Sequence, residues 1–140
     1  MASVNDIIAE QMMETDPSVA LTSNSIAQIK RKMEDNNLRA IPVVDEKDKL
    51  HGAIGYRDII RFIQFNPDRT KLDKVMHQPP EFDTDDTLVE LAELRINSGR
   101  KMLVNTSNGG KLKGIIGDRQ FAEAMKNAEE LTDVTTRELS

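Results

Sequence analysis

The chain has 140 residues, 38% hydrophobic and 31% charged, which suits one compact domain with a real core. Its net charge of −5 argues against a nucleic-acid or anionic-membrane footprint, and no apolar run approaches the ~20 residues of a membrane span. The absence of cysteine excludes disulfides, a thiol nucleophile and Cys-based metal sites, and fits a reducing cytoplasm.

In chain order, Met1 to Asp6 lacks the basic start and apolar core of a secretory signal. Ser3 is placed to cap a short helix through Gln11, with Ile7, Ile8, Gln11 and Met12 inward. Asp16-Pro17 stops it. Val19 and Leu21 alternate with small or polar residues, a short strand signal. Ser23-Asn24-Ser25 caps a longer helix whose Ile26, Ile29 and Met33 share one face. Asn36-Asn37 ends that helix, since Asn tolerates the left-handed conformation. Ala40 to Val44 reads as a buried strand, and its Pro42 implies an edge or a strand start. Asp45 to Asp48 is a turn, Leu50 to Ile54 the return strand, and Gly55 its end. Tyr56 to Phe65 forms a helix with Ile59, Ile60 and Ile63 inward, and Asn66-Pro67-Asp68-Arg69 is a linker.

The chain then repeats itself. Gly52-Ala53-Ile54-Gly55-Tyr56-Arg57-Asp58-Ile59 returns as Gly114-Ile115-Ile116-Gly117-Asp118-Arg119-Gln120-Phe121, an offset of 62 residues. The same offset carries Ile26 onto Leu88, Ile29 onto Leu91 and Ile41 onto Leu103. Leu72 to Met76 echoes Val4 to Ile8 at an offset of 68, which implies six residues fewer in the second copy, around Gln78-Pro79-Pro80. Leu88, Leu91, Ala92 and Leu94 mark the second long helix, ended by Ser98-Gly99. Lys101 to Val104 is a strand, Ser107 to Gly110 a hairpin turn and Leu112 to Ile116 the return strand. Asp118 caps a last helix to about Leu131, leaving residues 132–140 as a polar, fraying tail. The copies are residues 1–66 and 67–140; two such units pack together to bury a shared core, since each alone is marginal.

A strand-helix-strand-strand-helix unit in duplicate resembles the cystathionine-β-synthase (CBS) domain pair, or Bateman module. The resemblance rests on Pro42-Val43-Val44-Asp45, on the Gly-x-Ile-x-x-x-Asp run from Gly52 to Asp58, and on the opening segments Val4–Ile8 and Leu72–Met76. It implies an α/β (α+β) fold of two βαββα repeats around a pseudo-two-fold, with small mixed sheets flanked by helices. It also implies a stand-alone regulatory sensor that binds an adenine nucleotide (AMP, ADP or ATP) or an S-adenosylmethionine-type ligand between the repeats, with no required cofactor. Family members dimerise through flanking helices, here those carrying Ile60, Ile63, Phe65, Phe121, Ala124 and Met125, and a regulated partner protein reads the state. The alternative is a ligand-free dimerisation or protein-interaction module.

By the same resemblance Asp58 receives the ribose hydroxyls, because a carboxylate offers paired acceptors to a cis-diol. A first-turn Asp also stabilises its helix, which is reason enough for it without a ligand. Gln120 stands at that position in the second copy, so the clefts are expected to be unequal. Gly55 and Gly117 stand where the family usually has Ser or Thr; they serve either a tight turn or a bare backbone that admits a phosphate. The implied Asp58 cleft joins Ala53, Gly55 and Arg57 to Pro80, Arg100, Lys101 and Met102. The weaker Gln120 cleft joins Ile115, Gly117 and Arg119 to Ser18, Arg39 and Ala40. Apolar members would sandwich adenine and Arg or Lys would pair with phosphates, though each of those charges also fits a solvated surface.

Other constellations carry less. His51 and His77 lack metal-ligand spacing. Met12, Met13, Met33 and Met76 read as core filler. Asp83-Thr84-Asp85-Asp86 precedes a helix and reads as capping. Gly109-Gly110 belongs to a hairpin. No catalytic apparatus is legible, so no enzyme is expected.

Overall fold

The computed structural model describes residues 6–63 and 71–139, with the side chains of 6–62 and 71–128. The Ser3 cap, Phe65, the Asn66 to Arg69 linker and the Ile63 side chain lie outside the described residues. In chain order the elements are α1 (Ala9–Met12), β1 (Ala20–Leu21), α2 (Ile26–Asp35), β2 (Ala40–Val44), β3 (Leu50–Gly55), α3 (Tyr56–Ile63), α4 (Leu72–Val75), α5 (Leu88–Ser98), β4 (Leu103–Thr106), β5 (Leu112–Ile116) and α6 (Asp118–Leu139). They fall into two compact units. The first is Pro17–Pro79 with Thr106–Lys113; the second is Met1–Asp16 with Pro80–Asn105 and Gly114–Ser140.

In the first unit β2 is the middle strand of β1-β2-β3, parallel to β1 and antiparallel to β3. Pro42 is therefore central, not at an edge. It lies opposite Ala53, whose N–H and C=O turn away from β2 to His77, both at 2.9 Å, so the missing donor costs no bond to β3. Toward β1 it lacks the bond that its counterpart Val104 donates to the Pro80 carbonyl in the second unit. Ile26, Ile29 and Met33 from α2 pack on Ile41, Val43, Ile54 and Ile59. Ala20 is the inward residue of β1, fully buried in the core with Val43, and Leu21 is exposed instead. Ile60 is also exposed: Ile59 and Phe62, three apart, hold the inward face of α3.

The second unit repeats the plan around Ala9, Phe82, Leu88, Leu91, Leu103, Ile116, Phe121 and Ala124. Its first strand is reduced to the bridge Glu81–Val104, and β4 begins two residues later than the sequence suggests. On α6, Phe121 and Ala124 are core residues and Met125 is exposed. α6 runs on through residues 132–139, expected as a frayed tail, since no Pro or Gly interrupts Asp118 to Leu139. Caps act in parallel: Ser25 Oγ accepts from Gln28 N and Thr87 Oγ1 from Glu90 N, while Asn37 (φ 53) and Gly99 (φ 66) end the same helices in left-handed geometry. At the turns, Leu50 N–H donates to Gly110 O and Leu112 N–H to Asp48 O around the Lys49–Lys111 bridge. Among the described residues no helix is long and apolar enough to cross a membrane.

The opening segments correct the sequence register. α4 matches α1, Ala9 to Leu72, at an offset of 63, not 68. Met13 and Met76 end them with the same backbone angles, φ −68 with ψ 145 and 146. Glu14 then bridges Ile115 as His77 bridges Ala53. The second copy is thus one residue shorter here, not six, between His77 and Pro80. The apolar pairs Ile7-Ile8 and Met12-Met13 are interchangeable in pattern. Helix forms at the second because Ala9-Glu10-Gln11-Met12 are strong helix formers, whereas Ile8 is extended and bridges Thr87. Glycine admits the segment: a Cβ on Gly114 would lie 2.7 Å from Met13 Sδ, and one on Gly52 3.0 Å from the His77 carbonyl.

Candidate functional site

The end of β3 and the start of α3 build a largely buried polar group in the first unit. Ala40 pairs with Gly55, and Tyr56 N–H donates to the Arg39 carbonyl, which fixes where the strand hands over to the helix. Asp58, in the first turn of α3, reaches back: its Oδ2 accepts the Gly55 N–H at 2.8 Å and lies 2.8 Å from His77 Nδ1. Both side chains are largely buried, at 16% and 11% exposure. The helix N-terminus favours the carboxylate charge.

The second unit has the same closure without the charge. Gln120 Oε1 accepts the Gly117 N–H at 2.8 Å, and the residue is 8% exposed. Neither Gly55 nor Gly117 has a positive φ, so the tight-turn explanation of these glycines does not hold. A Cβ on either would sit 3.4 Å from the Asp58 or Gln120 oxygen, an ordinary contact.

The first unit holds Ala53, Gly55, Arg57 and Asp58, and also Ser18, Arg39 and Ala40. Ala53 is fully buried, with its backbone on His77, and Arg57 is exposed. Arg39 and Ala40 thus stand beside the Asp58 turn, although the sequence reading groups them with Gln120. The second unit holds Pro80, Arg100, Lys101 and Met102 with Ile115, Gly117, Arg119 and Gln120. There the Lys101 carbonyl lies 3.9 Å from where a Gly117 Cβ would be, Met102 is buried, and Arg119 pairs with Glu123 at 3.6 Å on the surface.

His77 is the member that sequence reasoning missed. Its signal was faint: it follows the methionine that ends α4, as Glu14 follows the one that ends α1, and that equivalence needs the correct register. His51 serves a different purpose. Its Nε2 lies 2.9 Å from Asp45 Oδ2, and this bond, with the Lys47 N–H, lowers the half-exposed Asp45 carboxyl to a pKa of about 2. The oxygens of Asp83, Asp85 and Asp86 lie within 4.8 Å of one another, but Asp86 Oδ2 already accepts the Asp83 N–H to close its own turn.

Residues 4–64 match the family model of the CBS domain. The chain is 28% identical to AcuB of Vibrio cholerae, a protein named for acetoin utilization, with a TM-score of 0.80 over 91% of this chain and 96% of that one. CBSX2, solved with AMP, is 18% identical with a TM-score of 0.76, covering 87% of this chain and 98% of that one. The CBS domain pair of MJ0100, solved with 5′-methylthioadenosine and S-adenosyl-L-methionine, is 16% identical with a TM-score of 0.72, covering 85% and 99%.

Proposed function

Residues 4–64 match the CBS domain family and the chain has the fold of a CBS domain pair, and on that premise we propose that it is a regulatory module that binds an adenosyl ligand. The observation that carries this is the Asp58 turn: a largely buried carboxylate, held by a backbone N–H and a histidine at a helix start. The ligands of CBSX2 and MJ0100 support it, because AMP, 5′-methylthioadenosine and S-adenosylmethionine share one part, an adenosine with its 2′,3′-diol. A carboxylate suits that diol. Gly55, Arg57, Arg39 and Ala40 would complete the nearest contacts, and Pro80, Arg100, Lys101 and Met102 remain expected members. Regulation follows when the ligand binds one conformational or dimeric state better than another, by no more than that difference in affinity. A homodimer in the cytoplasm, read by a partner protein, completes the reading.

Thermal unfolding of wild type and Asp58→Ala against AMP, ADP, ATP, S-adenosylmethionine and NAD tests it. A ligand at 100 times its Kd adds about 2.7 kcal/mol, several degrees for a chain this size. A shift lost in Asp58→Ala supports the reading; a shift surviving the change moves the site to Gln120.

One observation favours a ligand-free interaction module. Val89 and Ile96 lie 52% and 73% exposed on α5, where α2 carries Ala27 and Glu34. If no ligand shifts the unfolding and Ile96→Lys dissolves an oligomer in sedimentation, this second reading takes over.

A further inference from the structure

We infer that His77 is a positioning residue for the Asp58 carboxylate, and that it makes this turn, and not its Gln120 counterpart, selective for a ligand carrying a cis-diol. The inference rests on the adenosyl-binding reading above. Gly55 N–H and His77 Nδ1 meet the same oxygen, Oδ2, each at 2.8 Å. Two partners from different directions on one oxygen fix the plane of the carboxylate, and so fix the direction of Oδ1. A bidentate contact to a diol depends on that plane, because both hydroxyls must find their acceptors at once.

His77 is itself held in place. Its N–H and C=O both bond to Ala53 at 2.9 Å, and its side chain is 11% exposed. Its Cε1 lies 4.0 Å from where a Gly55 Cβ would be, so the ring stands directly over the turn. In the second unit the place of His77 is taken by Glu14, an exposed residue that carries no imidazole. Gln120 closes its turn through the Gly117 N–H alone among the bonds that Asp58 makes. The first turn is therefore aimed; the second is only closed.

Calorimetry of the full chain with AMP and with 2′-deoxy-AMP tests this, in wild type, Asp58→Ala, His77→Asn and His77→Gln. Asn places an amide donor near the position of Nδ1, while Gln places it near Nε2, away from Asp58. Wild type should prefer AMP by about tenfold or more, the worth of a charge-assisted hydrogen bond. His77→Asn should keep most of that preference, and His77→Gln should bring it to about twofold or less, with both variants keeping the wild-type far-ultraviolet dichroism. A structural role for His77 would weaken both ligands equally, so an unchanged AMP preference in His77→Gln overturns the inference while leaving the adenosyl site standing. If instead Asp58→Ala keeps the preference, the diol is read elsewhere and this inference falls; if wild type binds neither nucleotide, the functional reading fails and this inference with it. Should His77→Gln not fold, His77→Leu carries the same expectation.

Discussion

The Asp58 and Gln120 turns are the same piece of backbone with different chemistry. In both, a glycine N–H is closed at 2.8 Å by a side-chain oxygen three residues on, at the start of a helix. An amide closes the turn as well as a carboxylate does, so folding needs only an acceptor. The negative charge of Asp58 and the histidine behind it are more than the closure requires. Groups that exceed what the fold needs are where function is best sought, and here the excess is confined to one copy.

The largest test asks whether the two turns rest on equal foundations. Ile54 and Ile116 are equivalent and both fully buried, one residue before their glycines. Ile54→Ala and Ile116→Ala should each cost about 2–5 kcal/mol in chemical denaturation. Markedly unequal costs would mean that the copies differ in packing, and the comparison of turns would lose its footing. Next, Asp58→Ala should cost about 1–3 kcal/mol without ligand, because Gly55 N–H and His77 both lose a partner. Gln120→Ala should cost about 1 kcal/mol, since only Gly117 N–H is affected. Equal losses would show that His77 adds nothing.

Smaller effects sharpen the role of the glycines. Gly55→Ala and Gly117→Ala meet no left-handed backbone, so each should change stability by less than about 1 kcal/mol. Gly99→Ala, at φ 66, should lose about 1 kcal/mol, and a comparable loss at Gly55 would restore the tight-turn explanation. The smallest effect concerns another inequality, Asp45 in one turn against Ser107 in the other. Asp45 is depressed to about 2 chiefly by His51, so the stability it contributes is present above the usual carboxylate value and lost as pH falls through about 2. Carbon-detected titration should find that midpoint, and His51→Gln should raise it toward 3.8. No change in His51→Gln would remove the histidine as the cause.

Features set by neighbours in sequence were legible in the sequence. Ser25 and Thr87 cap from three residues away, Asn37 and Gly99 stop their helices, and the 62-residue repeat places β3 and β5 correctly. Features decided across the fold were not. Pro42 looked like an edge because a strand pattern does not reveal that Ala53 bonds to His77 and not to it. Ile60 and Phe121 looked alike as helix apolar residues, yet packing exposes one and buries the other. The register of the opening segment failed because Ile7-Ile8 and Met12-Met13 present the same pattern, and that error hid His77, whose contact with Asp58 spans 19 residues of sequence. The candidate site was thus half visible: its acceptor could be read, its positioning partner could not.

Asp58→Asn tests the central claim most directly, because it gives the first turn the amide chemistry of the second while keeping the Gly55 closure. Calorimetry with AMP, beside a melting curve of the free variant, reads both properties at once. The expected result is a melting temperature within a few degrees of wild type and an AMP affinity lower by about tenfold or more. Full AMP affinity in Asp58→Asn would contradict the claim that the charge of Asp58 serves the ligand.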